Sequence, residues 1–458
     1  MHHFPWKMTD NVYEQKLGCI EEFMDQTDKS IPGPRQHLSV HGFLRLQFIP
    51  SRGGLEDRLR RAWRVLRGSA PALTAVVCDG KKVLSQMDQV DIDAWAEESF
   101  IKHQESTTME SIFAESLRRK YITLHFLPGG EVGRFCLAIQ AGHVHFSARE
   151  IYRLFDKYLS ILVNEDLTEN EPERLRIQQL PLQIDDMIPV SYPQSGKDSL
   201  VARDWLSILS DVDPLAIPTN SKHNKPTPLR TARSAVSIGQ EPSTQLVRAC
   251  RQHSITVTAA WLAAITSTLA DVTTETCKGP LSDKMALAGM TTLDSRSWRT
   301  DQPSPDDEIL VCSRFALSPI KLCANAPFRE NAKRAMDAYH GDGILPEKGA
   351  ALPSATQLLS CMLQEHPELK SIVTASYGVI DKYVKHEYLH QEEVVKVEEI
   401  WTAVGTLDDS VVMMLHTWRG QMWLSASYNE AFYCRSMVDI ILARVRDTML
   451  QNLDANVS

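Results

Sequence analysis

Several short motifs that identify common classes of enzyme are missing from this 458-residue chain. The phosphate-binding loops G-x-G-x-x-G and G-x-x-x-x-G-K-[ST] do not occur, and neither does the G-x-S-x-G sequence of serine hydrolases. No two of the nine cysteines form a C-x-x-C pair, and their number is odd. This pattern favours reduced thiols in the cytoplasm over a disulfide framework.

Long apolar runs and basic blocks are missing as well. No run of about 18 apolar residues occurs, and the N-terminal sequence MHHFPWKMTDN has no apolar signal-peptide core. The formal net charge is −9, and lysine and arginine are not clustered. We therefore expect no membrane-spanning segment and neither a nucleic-acid nor an anionic-membrane partner. A cytoplasmic location is the resulting prediction.

The composition is that of a globular protein, with 43% hydrophobic and 23% charged residues. Seven prolines fall between residues 181 and 228, which predicts a long connection between two halves. We therefore expect an N-terminal domain at residues 1–190, a linker at 191–235 and a C-terminal domain at 236–458. Helix and strand patterns mix in both halves, so the predicted fold class is α/β.

Two local patterns make sharp structural predictions. Residues 72–78, ALTAVVC, have the character of a strand that ends at the turn pair Asp79-Gly80. Residues 243–272 predict two successive helices, and Thr258 is the predicted N-cap of the second.

Two histidines close an apolar run in the sequence AGHVHF, and a helical pattern follows from Ile151. On a strand, residues two apart point to the same face, so His143 and His145 would share one side. A histidine at a strand end can act as a general base, because its ordinary pKa is near neutrality. The alternative is that one or both rings only bind backbone carbonyls at the strand end. The residues by themselves leave both interpretations open.

A second pair of histidines matches the zinc-protease motif H-E-x-x-H at His386, Glu387 and His390. In a zinc protease this motif lies on a buried helix. Here the surrounding sequence DKYVKHEYLHQEEVVKVEEI is densely charged and is followed by residues that favour strands. A solvated connection is the favoured interpretation, and no metal site is predicted.

Five segments together resemble the acyltransferase superfamily that contains chloramphenicol acetyltransferase, nonribosomal condensation domains and the plant hydroxycinnamoyl/acetyl transferases. The nearest likeness is to fungal O-acetyltransferases of secondary metabolism, of the trichothecene 15-O-acetyltransferase type. The second segment resembles the family's H-x-x-x-D-G motif, and the five occur in the family's order from about residue 55 to 435. They are LRRAWRVLRGSAPALTAVV, GHVHFSAREIYRLFDKYL, QHSITVTAAWLAAITSTL, GMTTLDSRSW and LHTWRGQMWLSASYNEAFY.

The resemblance implies two similar chloramphenicol-acetyltransferase-like domains, each a mixed sheet with flanking helices, and an active-site tunnel between them. An acyl donor, usually acetyl-CoA, would enter one mouth and an acceptor alcohol or amine the other. The motif's histidine would take the proton from the acceptor hydroxyl. The resulting oxyanion needs a hydrogen-bond donor, for which Ser376, Thr417 and Trp418 are candidates. The resemblance implies no permanently bound cofactor and a monomer.

The motif can be aligned in two ways, with either histidine as the base. If His143 is the motif's histidine, Ser147 stands at the Asp position. If His145 is, Asp156 would fall on the core face of the following helix. The helical register therefore favours His143.

The chain departs from the family at the structural Asp of the motif. In the family this Asp pairs with an Arg, which corresponds here to Arg296, and Ser147 cannot form that ion pair. Arg149 and Asp294 could form a reversed pair, which is a hypothesis. Glu150 also differs from the small residues common after the motif.

Two functions from different classes of chemistry follow from these observations. The first is O-acylation, most simply acetylation, of a hydroxyl on a fungal secondary metabolite such as a terpenoid, with acyl-CoA as co-substrate. The alternative is an enzyme of the same fold that has lost acyl transfer. It would catalyse a cyclisation, rearrangement, dehydration or coupling of a natural-product intermediate. Fold alone does not decide between them.

Overall fold

The structure is a computed structural model that forms two compact units. Among the residues it describes, one unit contains residues 6–180 and Ile380–Gly405, and the other contains residues 196–294, 315–379 and 406–453. The described residues are 6–50, 54–164, 180, 196–209, 212–219, 230–277, 279–294, 315–340, 356–362, 365 and 372–453.

The first unit contains five helices and two sheets within the described ranges. The helices are α1 (Cys19–Lys29), α2 (Leu55–Ser69), α3 (Gln89–Ser99), α4 (Met109–Glu115) and α5 (Ala148–Val163). The strands are β1 (Lys7–Thr9), β2 (Val12–Lys16), β3 (Ser39–Gln47), β4 (Val76–Cys78), β5 (Lys81–Ser85), β6 (Phe100–Lys102), β7 (Thr123–Pro128), β8 (Arg134–Gly142), β14 (Glu387–His390) and β15 (Glu393–Val404). The small sheet has the order β1-β2-β5-β4, and the large one β14-β15-β3-β8-β7-β6.

Strand β15 joins the large sheet although it comes from late in the chain. It pairs antiparallel with β3 along most of its length, from Lys396 opposite Gln47 to Val404 opposite Val40. The sequence assigned residues 236–458 to one C-terminal domain, whereas residues 380–405 belong to the first unit. The hydrogen-bonded ladder to β3 is the physical reason for this difference.

Helix α5 covers the sheet of the first unit at close range. Its side chains Ile151 and Phe155 are fully buried. A Cβ atom at Gly42 of β3 would lie only 2.3 Å from Cγ2 of Ile151, so the helix can approach the strand because this residue has no side chain. This contact fixes the helix that follows the two histidines.

The second unit contains one mixed sheet and five helices whose bounds are defined, and residues 356–362 are also helical. The helices are α6 (Gly196–Ser207), α7 (Gln240–Gln252), α8 (Val257–Cys277), α9 (Phe328–His340) and α10 (Arg435–Asn452). The strands are β9 (Asp213–Pro214), β10 (Thr231–Ile238), β11 (Met285–Asp294), β12 (Phe315–Cys323), β13 (Ile372–Val379), β16 (Val411–Trp418) and β17 (Gln421–Asn429). The sheet order is β10-β17-β16-β13-β11-β12, and β9 also pairs with β11.

Helix α8 is the central helix of the second unit. Every residue from 259 to 265 is fully buried, which is typical of a helix that is apolar on all sides. Among the described helices none is alone long and apolar enough to cross a membrane. Only α7 and α8 together reach that length and hydrophobicity, as a pair bent by 97°.

The structure confirms one local prediction and corrects two. Asp79 and Gly80 have φ angles of 49° and 70°, as a two-residue hairpin turn requires, and they connect β4 to β5. The predicted strand at 72–78 is shorter than expected, because residues Pro71–Thr74 form a 3-10 helix. Helix α8 begins one residue before the predicted cap Thr258.

The residue that caps α8 is Thr256. Its Oγ1 atom accepts a hydrogen bond from the backbone N–H of Ala259 at 3.1 Å. Its carbonyl accepts the first helical bond, from Ala260, at 3.0 Å. Thr256 and Thr258 are the same residue type, and either one could cap a helix that starts here. The sequence pattern therefore placed the cap two residues too late.

Candidate active site

The two histidines of the predicted motif lie in a turn between β8 and α5. Strand β8 ends at Gly142, and residues 143–145 form the turn. The backbone N–H of His143 donates to the carbonyl of Leu38 at 3.2 Å, and that of His145 donates to the carbonyl of Gly142 at 2.9 Å. The sequence expectation that both rings share one face of a strand is therefore wrong, because neither residue is on the strand.

Ser147 ends this turn and starts α5. It is the N-cap residue, and Glu150 is the third residue of the helix in a capping-box arrangement. One carboxylate oxygen of Glu150, Oε2, accepts the backbone N–H of Ser147 at 2.9 Å and also accepts the Ser147 hydroxyl. Ser147 and Glu150 therefore have a defined local role at the start of this helix.

The register of α5 agrees with the helical pattern in the sequence. The apolar face is fully buried, and it consists of Ile151, Leu154, Phe155, Tyr158 and Leu159. Asp156 is only half-buried, and its Oδ1 atom accepts a hydrogen bond from the Tyr388 hydroxyl at 2.6 Å. Asp156 is thus not in the apolar core of the helix, and the choice of His143 over His145 as the motif's histidine stays a prediction.

Burial makes both imidazoles weak bases. It lowers the pKa of His143 to about 4, with a small opposing effect from a hydrogen bond to its own backbone. Burial and, to a smaller extent, the positive charge of Lys82 together lower the pKa of His145 to about 3. Both residues are nevertheless half-buried rather than fully buried. At neutral pH each ring is therefore neutral and has a nitrogen lone pair that can accept a proton.

The residue that holds the start of the turn is itself conformationally strained. Leu38 has a φ angle of +54°, in the left-handed region that a leucine rarely adopts. Its N–H donates to the carbonyl of Gly405 at 2.8 Å, while its carbonyl accepts the N–H of His143. Strain of this kind persists only where neighbouring contacts determine the backbone, and here two backbone hydrogen bonds do so.

A buried polar cluster lies next to Leu38 at the start of β3. Nε2 of His41 is 3.1 Å from the hydroxyls of both Ser39 and Ser116, and all three residues are fully buried. Burial lowers the pKa of His41 to about 3. Ser39 is also the register partner of Gly142. This cluster therefore supports the strand ends from which the histidine turn departs.

The predicted oxyanion donors lie on adjacent strands of the second unit. Ser376 on β13 has its Oγ 2.9 Å from Oγ1 of Thr258, at a bulge where the register of the β13–β16 ladder shifts. Thr417 on β16 is half-buried and stands opposite Val379, and the neighbouring Trp418 is almost fully buried. Their assignment as oxyanion donors stays a prediction.

Arg149 and Asp294, the residues proposed for an ion pair, belong to different units. Arg149 places its guanidinium carbon 5.8 Å from the centre of the Tyr383 ring, in a cation–π arrangement. Asp294 is the last residue of β11. Arg296 lies outside the described residues, so the family's ion pair and its reversed form stay hypotheses.

The H-E-x-x-H sequence does not form a zinc-protease helix. Glu387 and His390 lie on β14, where residues four apart are separated by about 13 Å along the strand. Nε2 of His386 is instead 2.6 Å from Oδ1 of Asp381. In the described part of the chain, no group of three or more His, Cys, Asp and Glu residues could hold a metal ion.

Comparison with known proteins identifies the fold. No family model matches the chain. O-acetyltransferase pigM of Monascus ruber is 24% identical over 438 residues, which cover 93% of this chain and 82% of that protein. The solved structure of TRI3 trichothecene 15-O-acetyltransferase from Fusarium sporotrichioides has a TM-score of 0.80 at 15% identity, over 99% of this chain and 98% of that one. The chain has the TRI3 acyltransferase fold.

This acyltransferase fold is also that of nonribosomal peptide synthetase domains. The EpoB cyclization-docking bidomain from Sorangium cellulosum has a TM-score of 0.65 at 13% identity, over 95% of this chain and 85% of that one. The predicted α/β class, the chloramphenicol-acetyltransferase-like fold and the resemblance to this superfamily are confirmed. The predicted roles of individual residues remain predictions.

Sequence reasoning missed most of the residues that support the histidine turn. Leu38, Ser39 and His41 lie about 100 positions before the turn, and no short motif connects them to it. Lys82, whose charge lowers the pKa of His145, is fully buried with Glu21 as its ion-pair partner. The sequence KK in a short strand gives no sign that its second lysine is buried.

Proposed function

We propose that this protein is an acyl-CoA-dependent O-acyltransferase, most simply an O-acetyltransferase. The acceptor in this proposal is a hydroxyl of a fungal secondary metabolite such as a terpenoid, and no cofactor is permanently bound. Two findings support it: the fold shared with TRI3, and the similarity to pigM along 93% of the chain. Both of those proteins are named as O-acetyltransferases.

His143 is the general base in the proposed reaction. Its neutral imidazole accepts the proton of the acceptor hydroxyl while the oxygen attacks the thioester carbonyl of acyl-CoA. The tetrahedral intermediate then collapses and its C–S bond breaks. The thiolate of coenzyme A leaves, and the acyl group stays on the acceptor oxygen. The imidazolium returns its proton to the departing thiolate, so the enzyme regenerates itself.

The observation that carries this proposal is the state of the His143 ring. The residue lies in a turn held by backbone hydrogen bonds and is half-buried, and its ring is neutral at physiological pH because burial lowers its pKa to about 4. A base must be unprotonated before it can act.

The test is transfer of a labelled acetyl group from acetyl-CoA to a panel of fungal alcohols, with His145→Ala as the matched control for His143→Ala. We expect His143→Ala to lower kcat by about 10²–10⁴-fold, the usual contribution of a placed general base. His145→Ala should retain transfer. Equal activity of wild type and His143→Ala would refute the base assignment.

A second candidate function is supported by the departure at Ser147 and by the cyclization domain that shares this fold. In that case the enzyme converts a natural-product intermediate without acyl transfer. Calorimetric titration with coenzyme A and acetyl-CoA separates the two functions. Binding supports acyl transfer, whereas conversion of an intermediate with no coenzyme A binding supports the alternative.

The proposal also includes a monomeric protein in the cytoplasm. The cysteines in the described ranges are all free thiols, which is consistent with a reducing compartment. Light scattering after size-exclusion chromatography should give a mass near 51.6 kDa for a monomer. A mass twice as large would contradict this part of the proposal.

A further inference from the structure

We propose that Glu150 is a positioning residue for His143, because its buried carboxylate closes the turn that carries the imidazole. The consequence for catalysis rests on the proposed function, in which His143 is the base. The effect on the position of the ring does not rest on it. The two parts can therefore be tested separately.

Residues 143–147, which form the turn and lead into α5, have four backbone N–H groups with identified acceptors. Only one of these acceptors is a side chain. His143 donates to Leu38, while His145 and Phe146 both donate to the carbonyl of Gly142, at 2.9 and 3.3 Å. The fourth N–H, that of Ser147, donates to the carboxylate of Glu150. The last residue of the turn is thus held by a group that a single substitution removes.

The environment of Glu150 makes this interaction strong. The residue is only 3% exposed, so water competes weakly for the carboxylate. The same oxygen also accepts the Ser147 hydroxyl. The carboxylate lies in the first turn of α5, where the helix dipole and free N–H groups stabilise a negative charge. Removal of the carboxylate would leave the end of the turn without its acceptor.

Helix α3 in the same unit provides a matched control. Asp88 caps it, and Oδ2 of Asp91 accepts the backbone N–H of Asp88 at 3.3 Å. The chemistry is the same as in the Ser147–Glu150 pair. Both residues are exposed, and they precede a helix that does not follow the histidine turn. Loss of this capping interaction should affect stability without affecting the histidine.

The experiment compares Glu150→Ala, Glu150→Gln and Asp91→Ala with wild type in acetyl transfer and in histidine NMR. We expect Glu150→Ala to lower kcat by about 10–100-fold, since a displacement of about 1 Å can cost this much. Its KM for acetyl-CoA should stay within about twofold of the wild-type value. Glu150→Gln should restore most of kcat, because the amide oxygen can accept the same N–H. Asp91→Ala should keep wild-type kcat.

The NMR measurement does not depend on acyl transfer. The imidazole signals of His143, assigned by their loss in His143→Ala, should shift or broaden in Glu150→Ala and stay unchanged in Asp91→Ala. Unchanged signals in a folded Glu150→Ala protein would overturn the proposal. If the signals move but wild type transfers no acyl group, the positioning role stands and the proposed function fails. If the alanine variant does not fold, Glu150→Met gives the same test, because its side chain keeps most of the volume and has no oxygen to accept the Ser147 N–H.

Discussion

Lowering the pH from 7 to 5 should strongly destabilise the first unit, because it buries histidines that are neutral in the folded state. Burial lowers the pKa values of His41, His143 and His145 to about 3, 4 and 3. In the unfolded chain each would titrate near 6.5. The unfolded state therefore binds protons in this pH range that the folded state does not.

The sign and size of the effect follow from proton linkage. Above about pH 6.5 both states are unprotonated at these positions, and the free energy of unfolding does not depend on them. As the pH falls below that value, each group removes about 1.4 kcal/mol per pH unit until its folded pKa is reached. At pH 5 the loss is about 2 kcal/mol per histidine, or about 6 kcal/mol for three. A typical domain has only about 5–15 kcal/mol of stability.

Urea unfolding at pH 7.0, 6.0 and 5.0 measures this loss, with hydrogen exchange of β3 and β8 peptides as the report for the first unit. Most carboxylates titrate below this range and contribute little to the slope. A His41→Asn variant lacks one of these titrating groups. The change of its free energy of unfolding with pH should therefore be smaller by about 1.4 kcal/mol per pH unit. A wild-type free energy that changes by less than about 1 kcal/mol between pH 7 and 5 would refute the argument from burial.

Two further substitutions test the packing of the first unit. Arg58 forms a bidentate ion pair with Glu393, at 2.6 and 3.2 Å with both side chains buried, so Arg58→Met should lower the free energy of unfolding by about 3–5 kcal/mol. The control Arg45→Met breaks the exposed pair between Arg45 and Glu399 and should lower the free energy of unfolding by less than about 1 kcal/mol. Equal losses of stability in the two variants would contradict the role of burial. Gly42→Ala should cost about 1–3 kcal/mol in urea unfolding because its methyl group would collide with α5. The exposed helical control Gly68→Ala has nothing within 4 Å and should be neutral or stabilising; a loss as large as that of Gly42→Ala would show that the collision is not the cause.

Elements defined by local chemistry could be predicted from the sequence. The Asp79-Gly80 pair specifies a hairpin turn because both residues tolerate a positive φ angle, and the structure has it. The pattern after residue 150 specifies one buried helical face, and those residues are fully buried in α5. In each case the required information lies within a few positions, so no knowledge of the rest of the chain is needed.

Features that depend on distant partners could not be predicted in this way. The sequence HEYLH matches a helical zinc motif, but it forms an edge strand because β15 supplies its hydrogen-bond partner. The conformation of Leu38 depends on Gly405, more than 360 positions later. The bond between Ser147 and Glu150 is local, but the motif by itself did not show that Glu150 would be buried against the Ser147 N–H.

The contribution of β15 to the sheet of the first unit has a consequence for synthesis on the ribosome. When residues 1–187 have emerged, β3 still has one open edge, and the strand that covers it is about 200 residues away. At about 5–20 residues per second the nascent chain waits on the order of 10–40 s with the backbone N–H and C=O groups of this edge unpaired. During that interval the edge is available to chaperones or to another copy of the same edge. Folding of this sheet in the cell is thus completed only after residue 404 has been made.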